Sequence, residues 1–173
     1  MLFLYILLAL VAIIAILGFI APKDFAVERT IDLSVSQQTA YDALRSLKQQ
    51  DEWSVWAKKD PNMEKDFRGT DGEVGSVSYW NGNKEVGEGE QEIMGLQPPH
   101  RIDTQLRFLK PFKATNDAYF KIDAKGEGSH VAWGFSGSSP FPMNIFMMFM
   151  NIDKSVGGDF EQGLANFKAY IEE

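Results

Sequence analysis

Few side chains in this sequence have the type and placement to do chemistry. Arg29 sits in Phe25-Ala26-Val27-Glu28-Arg29-Thr30-Ile31-Asp32-Leu33, where period-two alternation puts it on the face carrying Phe25, Val27, Ile31 and Leu33. A cation on an apolar strand face is either an edge, bulge or snorkelling position, or a pocket cation with a buried carboxylate or ligand as partner. Tyr79 and Gln91, in two later strand-like segments, are the other candidates for polar groups turned inward. His100 follows Pro98-Pro99, and His130 has the opposite parity from Val131 and Trp133, so both read as exposed. No cluster of His and carboxylates has metal-ligand spacing, and neither a phosphate loop nor a nucleophile elbow occurs. The expectation is no metal, no cofactor and no assignable catalytic residue.

These groups are positioned by elements that periodicity makes visible. Ile152, Val156, Phe160, Leu164, Phe167 and Ile171 recur at spacings of four and three, a single stripe on a C-terminal α-helix. Alternating, Gly-punctuated segments precede it, so the stripe is expected to be buried by an antiparallel sheet curved around the helix. Gly157, Gly158 and Gly163 each cost such a helix roughly 1 kcal/mol relative to Ala. They imply a start after Gly158, close packing on the sheet, or space left for a ligand.

Between the first strand and that helix, Ser34 with Gln37 matches a capping box ahead of Ala40, Leu44 and Leu47, and a second helical turn is expected around Asp51 to Ala57. Trp53 and Trp56 share its face, as core or as a ligand-facing wall. Gly75 to Trp80 then leads to Asn81-Gly82, a two-residue hairpin signal, with a return strand from Lys84 to Ile93. In that strand Glu88, Glu90 and Glu92 form the wet face, leaving Gly87, Gly89, Gln91 and Ile93 inward. Later strands turn inward Ile102, Thr104, Leu106 and Phe108, then Ala118, Phe120 and Ile122, then Val131, Trp133 and Phe135. The inward set is aromatic and aliphatic with few polar groups, the composition of a small-molecule pocket and equally of a plain core.

Two stretches depart from the soluble pattern. Met1 to Ala21 contains no charged residue or histidine and spans roughly 31 Å as a helix, about the hydrocarbon thickness of a bilayer. It lacks a basic start and Pro22 follows the one plausible cleavage point, so it reads as a retained single-span anchor, residues 1–21, ahead of a soluble domain at 22–173. Lys23 and Arg29 lean the soluble domain toward the cytoplasm without deciding the side. Residues 140–151 are apolar almost all round and hold most of the methionines. This segment is buried on several sides, forms a flexible pocket wall, or rests on the membrane; as a Met-rich element ahead of the long helix it is expected to gate the pocket. The net charge of −7 opposes binding to nucleic acid or anionic lipid surfaces, and the absence of cysteine removes disulfides and thiol chemistry.

The order of elements, with Val27-Glu28-Arg29-Thr30-Ile31, Trp53-Ser54-Val55-Trp56 before Asp60-Pro61, Gly72-Glu73-Val74-Gly75, Trp80-Asn81-Gly82-Asn83, Gly87-Glu88-Gly89 and Asp159-Phe160-Glu161-Gln162-Gly163-Leu164, resembles the polyketide cyclase/dehydrase and lipid-transport family. That family lies in the START/Bet v1-like, or SRPBCC, superfamily, and the resemblance covers about residues 25 to 172. It implies an α+β helix-grip fold: a seven-stranded antiparallel sheet around the C-terminal helix with a hydrophobic cavity between them. It does not choose among carriers, receptors, cyclases and chaperone activators.

The resulting expectation is a membrane-anchored domain that binds a hydrophobic small molecule or lipid. Its candidate lining is Arg29, Trp53, Trp56, Tyr79, Gly87, Gly89, Gln91, Phe108, Phe120, Trp133, Phe135, Met147, Met148 and Phe160. The alternatives are a cyclase, dehydratase or hydrolase using Arg29 and Tyr79 in the pocket, and a protein-interaction module using the Met-rich segment. A compact interior without a cavity favours the last of these.

Overall fold

The structure, a computed structural model, describes all residues from Met1 to Glu173. Helix α1 (Leu2–Ile20) leads into strand β1 (Asp24–Leu33), then α2 (Gln37–Leu44), α3 (Gln50–Trp53) and α4 (Val55–Lys59). Strands β2 (Glu64–Arg68), β3 (Val77–Asn81), β4 (Glu88–Gln97), β5 (Arg101–Lys110), β6 (Ala114–Lys125) and β7 (Gly128–Ser138) follow, then α5 (Met143–Phe149) and α6 (Ile152–Glu172). The strands form one seven-stranded antiparallel sheet in the order β1-β7-β6-β5-β4-β3-β2. Only β1 is out of sequence, carried by the helices to the edge beside β7.

The sheet grips α6 as the stripe requires. Phe160, Leu164 and Phe167 are buried against Phe120, Val131 and Trp133 of the sheet and Trp53 of α3. Each such burial contributes roughly 1.5–3 kcal/mol. The helix begins at Ile152, where the Asn151 side chain accepts from the Lys154 N–H at 2.9 Å, so the three glycines lie within it. Close packing explains two of them. A Cβ on Gly157 would collide with the Arg29 guanidinium, and one on Gly163 would come within 2.8 Å of the Trp133 ring.

Local chemistry moves several expected boundaries. The N-cap of α2 is Ser36, which accepts from Thr39 N–H, while Gln37 instead donates its amide to the Ile122 carbonyl at 2.7 Å. The β3–β4 connection is not a two-residue turn: it runs from Gly82 to Gly87, with Asn83 Oδ1 accepting from the Glu85 and Val86 amides and Gly87 at φ +72°. Strand β2, Glu64-Lys65-Asp66-Phe67-Arg68, has no apolar alternation to announce it; it is an edge strand with Phe67 alone half-buried.

Candidate functional site: a cavity between the sheet and the C-terminal helix

A cavity of about 300 Å³ lies between α6, which lends it Val156, Asp159 and Phe160, and strands β3, β4 and β5, which lend it Ser78, Trp80, Gln91, Leu106 and Phe108. Fourteen of its 22 lining residues are hydrophobic, which suits an apolar guest. Its back wall is an aromatic stack. Trp133 of β7 lies flat on Phe160 of α6, centroids 4.0 Å apart and planes 8° apart, and Trp53 and Trp56 meet Trp133 edge-on at 5.7 and 6.1 Å. Such pairs add about 0.5–1.5 kcal/mol each beyond area burial and hold the wall rigid. The two tryptophans owe their placement to a break at Ser54, whose extended backbone ends α3 and whose hydroxyl caps α4 by accepting from Ala57 N–H. The α3 end is fastened to α6 by the Asn166 amide, which donates to the Trp53 carbonyl at 3.0 Å.

The floor comes from cross-strand partners on the concave face. Ser78 pairs with Gln91 and Gln91 with Leu106; Trp80 pairs with Gly89 and Gly89 with Phe108. Partners directly opposite share a face, so one row sets Ser78 and Gln91 beside Leu106 and the next sets Gly89 between the Trp80 and Phe108 rings. Polar groups are few. Gln91 donates weakly to the Thr104 hydroxyl at 3.4 Å, and the buried Trp53 indole N–H has no protein acceptor. Met63, Lys65, Glu85 and Val86 form the outer rim, which two ion pairs brace: Lys65 to Asp51 at 3.0 Å and Lys59 to Asp159 at 2.9 Å.

Of the candidates named from sequence, Trp53, Trp56, Tyr79, Gln91, Phe108, Trp133, Phe135 and Phe160 border this cavity. The other six do not. Arg29 faces α6 on the apolar side of β1, but its guanidinium is spent on Glu161 at 2.6 Å and Asp153 at 2.9 Å. Those carboxylates push its pKa above the ordinary arginine value, with the Asp153 hydrogen bond the largest cause, and Arg29 holds Asp153 below the usual carboxylate range. Phe120 is buried behind Trp133 and Trp53. Gly87 lies in the hairpin loop, tight against the Lys110 carbonyl, and the space over Gly89 is filled by the Trp80 ring. Neither glycine opens the cavity. Met147 and Met148 lie on α5, away from the wall.

Tyr79 borders the cavity from the wrong side. It pairs with Glu90 on the convex face, and its hydroxyl donates to Glu88 at 2.9 Å. That bond raises the phenol's pKa, while Lys110 and then Tyr79 lower that of Glu88. Arg29 and Tyr79 thus occupy different spaces and form no joint catalytic pair. The glutamate face is an ion-pair ladder: Arg107 donates to Glu90 and Glu92, each at 2.7 Å, and Arg68 also reaches Glu90. Sequence reasoning left out Ser78, Trp80 and Leu106 from the site. An aromatic residue opposite a strand glycine was the available signal for Trp80.

An antiparallel sheet closed on a C-terminal helix with an apolar space between them is the helix-grip architecture of Bet v1-like, SRPBCC-type proteins. The chain belongs to the polyketide cyclase/dehydrase and lipid transport family, whose model matches residues 24–172. Similar solved structures include Ara h 8.0201, 14% identical with a TM-score of 0.57 over 86% of this chain and 97% of that one. Protein CV1439 from Chromobacterium violaceum is 13% identical with a TM-score of 0.62, over 86% and 97% of the two chains. The Aha1 dimer from Colwellia psychrerythraea is 16% identical with a TM-score of 0.58, over 86% and 96%. No curated protein matches the sequence. At these identities the likeness is one of fold.

Proposed function

We propose that this protein is a membrane-anchored domain, α1 as anchor and residues 22–173 as the binding unit, that holds a hydrophobic small molecule or lipid in the cavity beside α6. The observation that carries the reading is the cavity itself: about 300 Å³ bounded by a rigid aromatic wall and largely apolar floor, in a family named for cyclases, dehydrases and lipid transport. The donors near it, from Trp53 and Gln91, suit a guest with one or two acceptor oxygens on an apolar body. The anchor reading draws support from α1, which is apolar over 19 residues and exposed along nearly its whole length. A signal peptide passes the same test of length and composition. Retention is favoured by the contact of α1 with the folded domain: Asn144, wholly buried, donates to the Gly18 and Ala21 carbonyls at 2.9 and 3.3 Å.

The test is native mass spectrometry with organic extraction on residues 22–173 expressed without detergent, together with titration of a fluorescent fatty-acyl probe. Saturable one-to-one binding is expected, and Ser78→Phe, which fills the floor from β3, is expected to weaken it at least tenfold with folding intact. Repeated recovery of empty protein and no saturable binding overturns the reading.

A further inference from the structure

A second apolar surface lies outside the cavity. From Val131 to Ile152 the chain carries no charged residue, and α5 within this stretch exposes Phe146, Met148 and Phe149, with Phe141 and Met150 exposed beside it. A seven-residue helix with bulky apolar groups in solvent gains nothing for the fold. Its inner face fixes where it sits. Asn144 is hydrogen-bonded to the carbonyls of Gly18 and Ala21, the last turn of α1, and Phe141 packs so closely on Gly18 that a Cβ there would come within 2.5 Å of the ring. Ile145 approaches the same glycine. A 19-residue helix is about 28 Å long, close to the hydrocarbon thickness, so a partner held at its C-terminal turn lies at the boundary between acyl chains and headgroups.

We propose that α5 is an interfacial helix: Phe141, Phe146, Met148 and Phe149 enter the surface of the bilayer that α1 crosses, giving the domain a second membrane contact. The proposal rests on the anchor reading. Its occupant is lipid because the apolar face continues the surface of a lipid-facing span at the depth where that span ends. The driving force is apolar area; with no basic residue on α5 and a chain of net charge −7, attraction to anionic headgroups plays no part.

The sequence lacks cysteine, so single labels can be placed without background. Full-length Phe146→Cys and Phe149→Cys, with Leu10→Cys at mid-span and Glu127→Cys in the β6–β7 turn, are spin-labelled and reconstituted into phosphatidylcholine nanodiscs. Collision with oxygen, which partitions into lipid, is compared with collision with a water-soluble nickel chelate. All four positions are exposed to solvent or lipid, and circular dichroism confirms that each variant folds. The proposal expects oxygen-to-nickel ratios at 146 and 149 several-fold above that at 127 and approaching that at 10. A lipid-like Leu10 with water-like 146 and 149 overturns the interfacial helix and leaves the anchor standing. A water-like Leu10 overturns the anchor and the inference with it. Shielding of 146 and 149 from both reagents overturns lipid as the occupant in favour of a second copy of the chain.

Discussion

Arg29 lies across Gly157, in the space any other residue would fill with its Cβ, and from there its guanidinium reaches Asp153 on one side and Glu161 on the other. The bare turn of α6 is therefore where strand β1 is fastened to the helix. Fixing it needs an arginine on an otherwise apolar strand face and a glycine within a helix, two choices that each look unfavourable alone.

The three helix glycines are expected to respond differently to Ala. Gly158 has no neighbour within 4 Å, so Gly158→Ala should stabilise by about 0.5–1 kcal/mol through helix propensity. Gly163→Ala forces a methyl against the stacked Trp133 ring and should destabilise by about 1–3 kcal/mol. Gly157→Ala should fall between them, since the arginine can lift away at the loss of its ion pairs. Urea midpoints of the three variants check the order.

Acid should weaken the fold over a defined window. Asp153, Glu88 and Glu90 ionise at lower pH in the folded protein than in the unfolded chain, because Arg29, Lys110 and Arg107 respectively donate to the charged forms. The unfolded state then binds more protons near the ordinary carboxylate pKa, so this stabilisation is complete above about pH 5 and is lost as pH falls below about 4. Asp153→Asn should flatten part of that acid slope and leave the dependence between pH 6 and 8 unchanged, measured as urea midpoint against pH.

Removal of Met1 to Ala21 should leave a soluble domain that unfolds cooperatively, because the main contact of α1 with the rest of the chain is with α5, outside the core around α6. Asn144 loses both carbonyl partners in that protein, so hydrogen exchange should show α5 opening while α6 stays protected. Absence of a cooperative transition counts against an independent domain.

Met147→Leu with Met148→Leu should cost under about 1.5 kcal/mol each. Neither side chain reaches the cavity, so probe affinity and exchange rate in the double variant should equal those of the parent. A narrowed ligand range or slowed exchange would restore a gating role to α5.

The concave face was legible in sequence wherever burial is one-sided. Ile102, Thr104, Ala118, Phe120, Ile122, Val131, Trp133 and Phe135 alternate because α6 and the small helices cover one face while water wets the other. Tyr79 was placed on the wrong face although pairing could have corrected it. Whether the hairpin closes at Asn81-Gly82 or through the longer observed loop, Tyr79 falls opposite an even-numbered residue, and the even positions in the part of β4 that pairs with β3 are Glu88, Glu90 and Glu92. Strand β2 was invisible because an edge pairs by backbone alone and needs no apolar face. The position of α5 was illegible for another reason: its partner, the end of α1, is more than 120 residues away, and no periodicity encodes an amide reaching two helix-end carbonyls.

Between the last residue of α1, Ile20, and the first of β1, Asp24, there are only Ala21, Pro22 and Lys23, which extend at most ~10 Å. Even that length is not free, since Ala21 is held by Asn144 and the Lys23 carbonyl accepts from the Ser139 amide at 2.7 Å. A domain moored this closely has no swing. On the anchored reading it cannot ferry cargo across an aqueous gap to a second membrane; it is a berth, loaded and emptied by molecules that drift to it within their own leaflet or by proteins that come alongside.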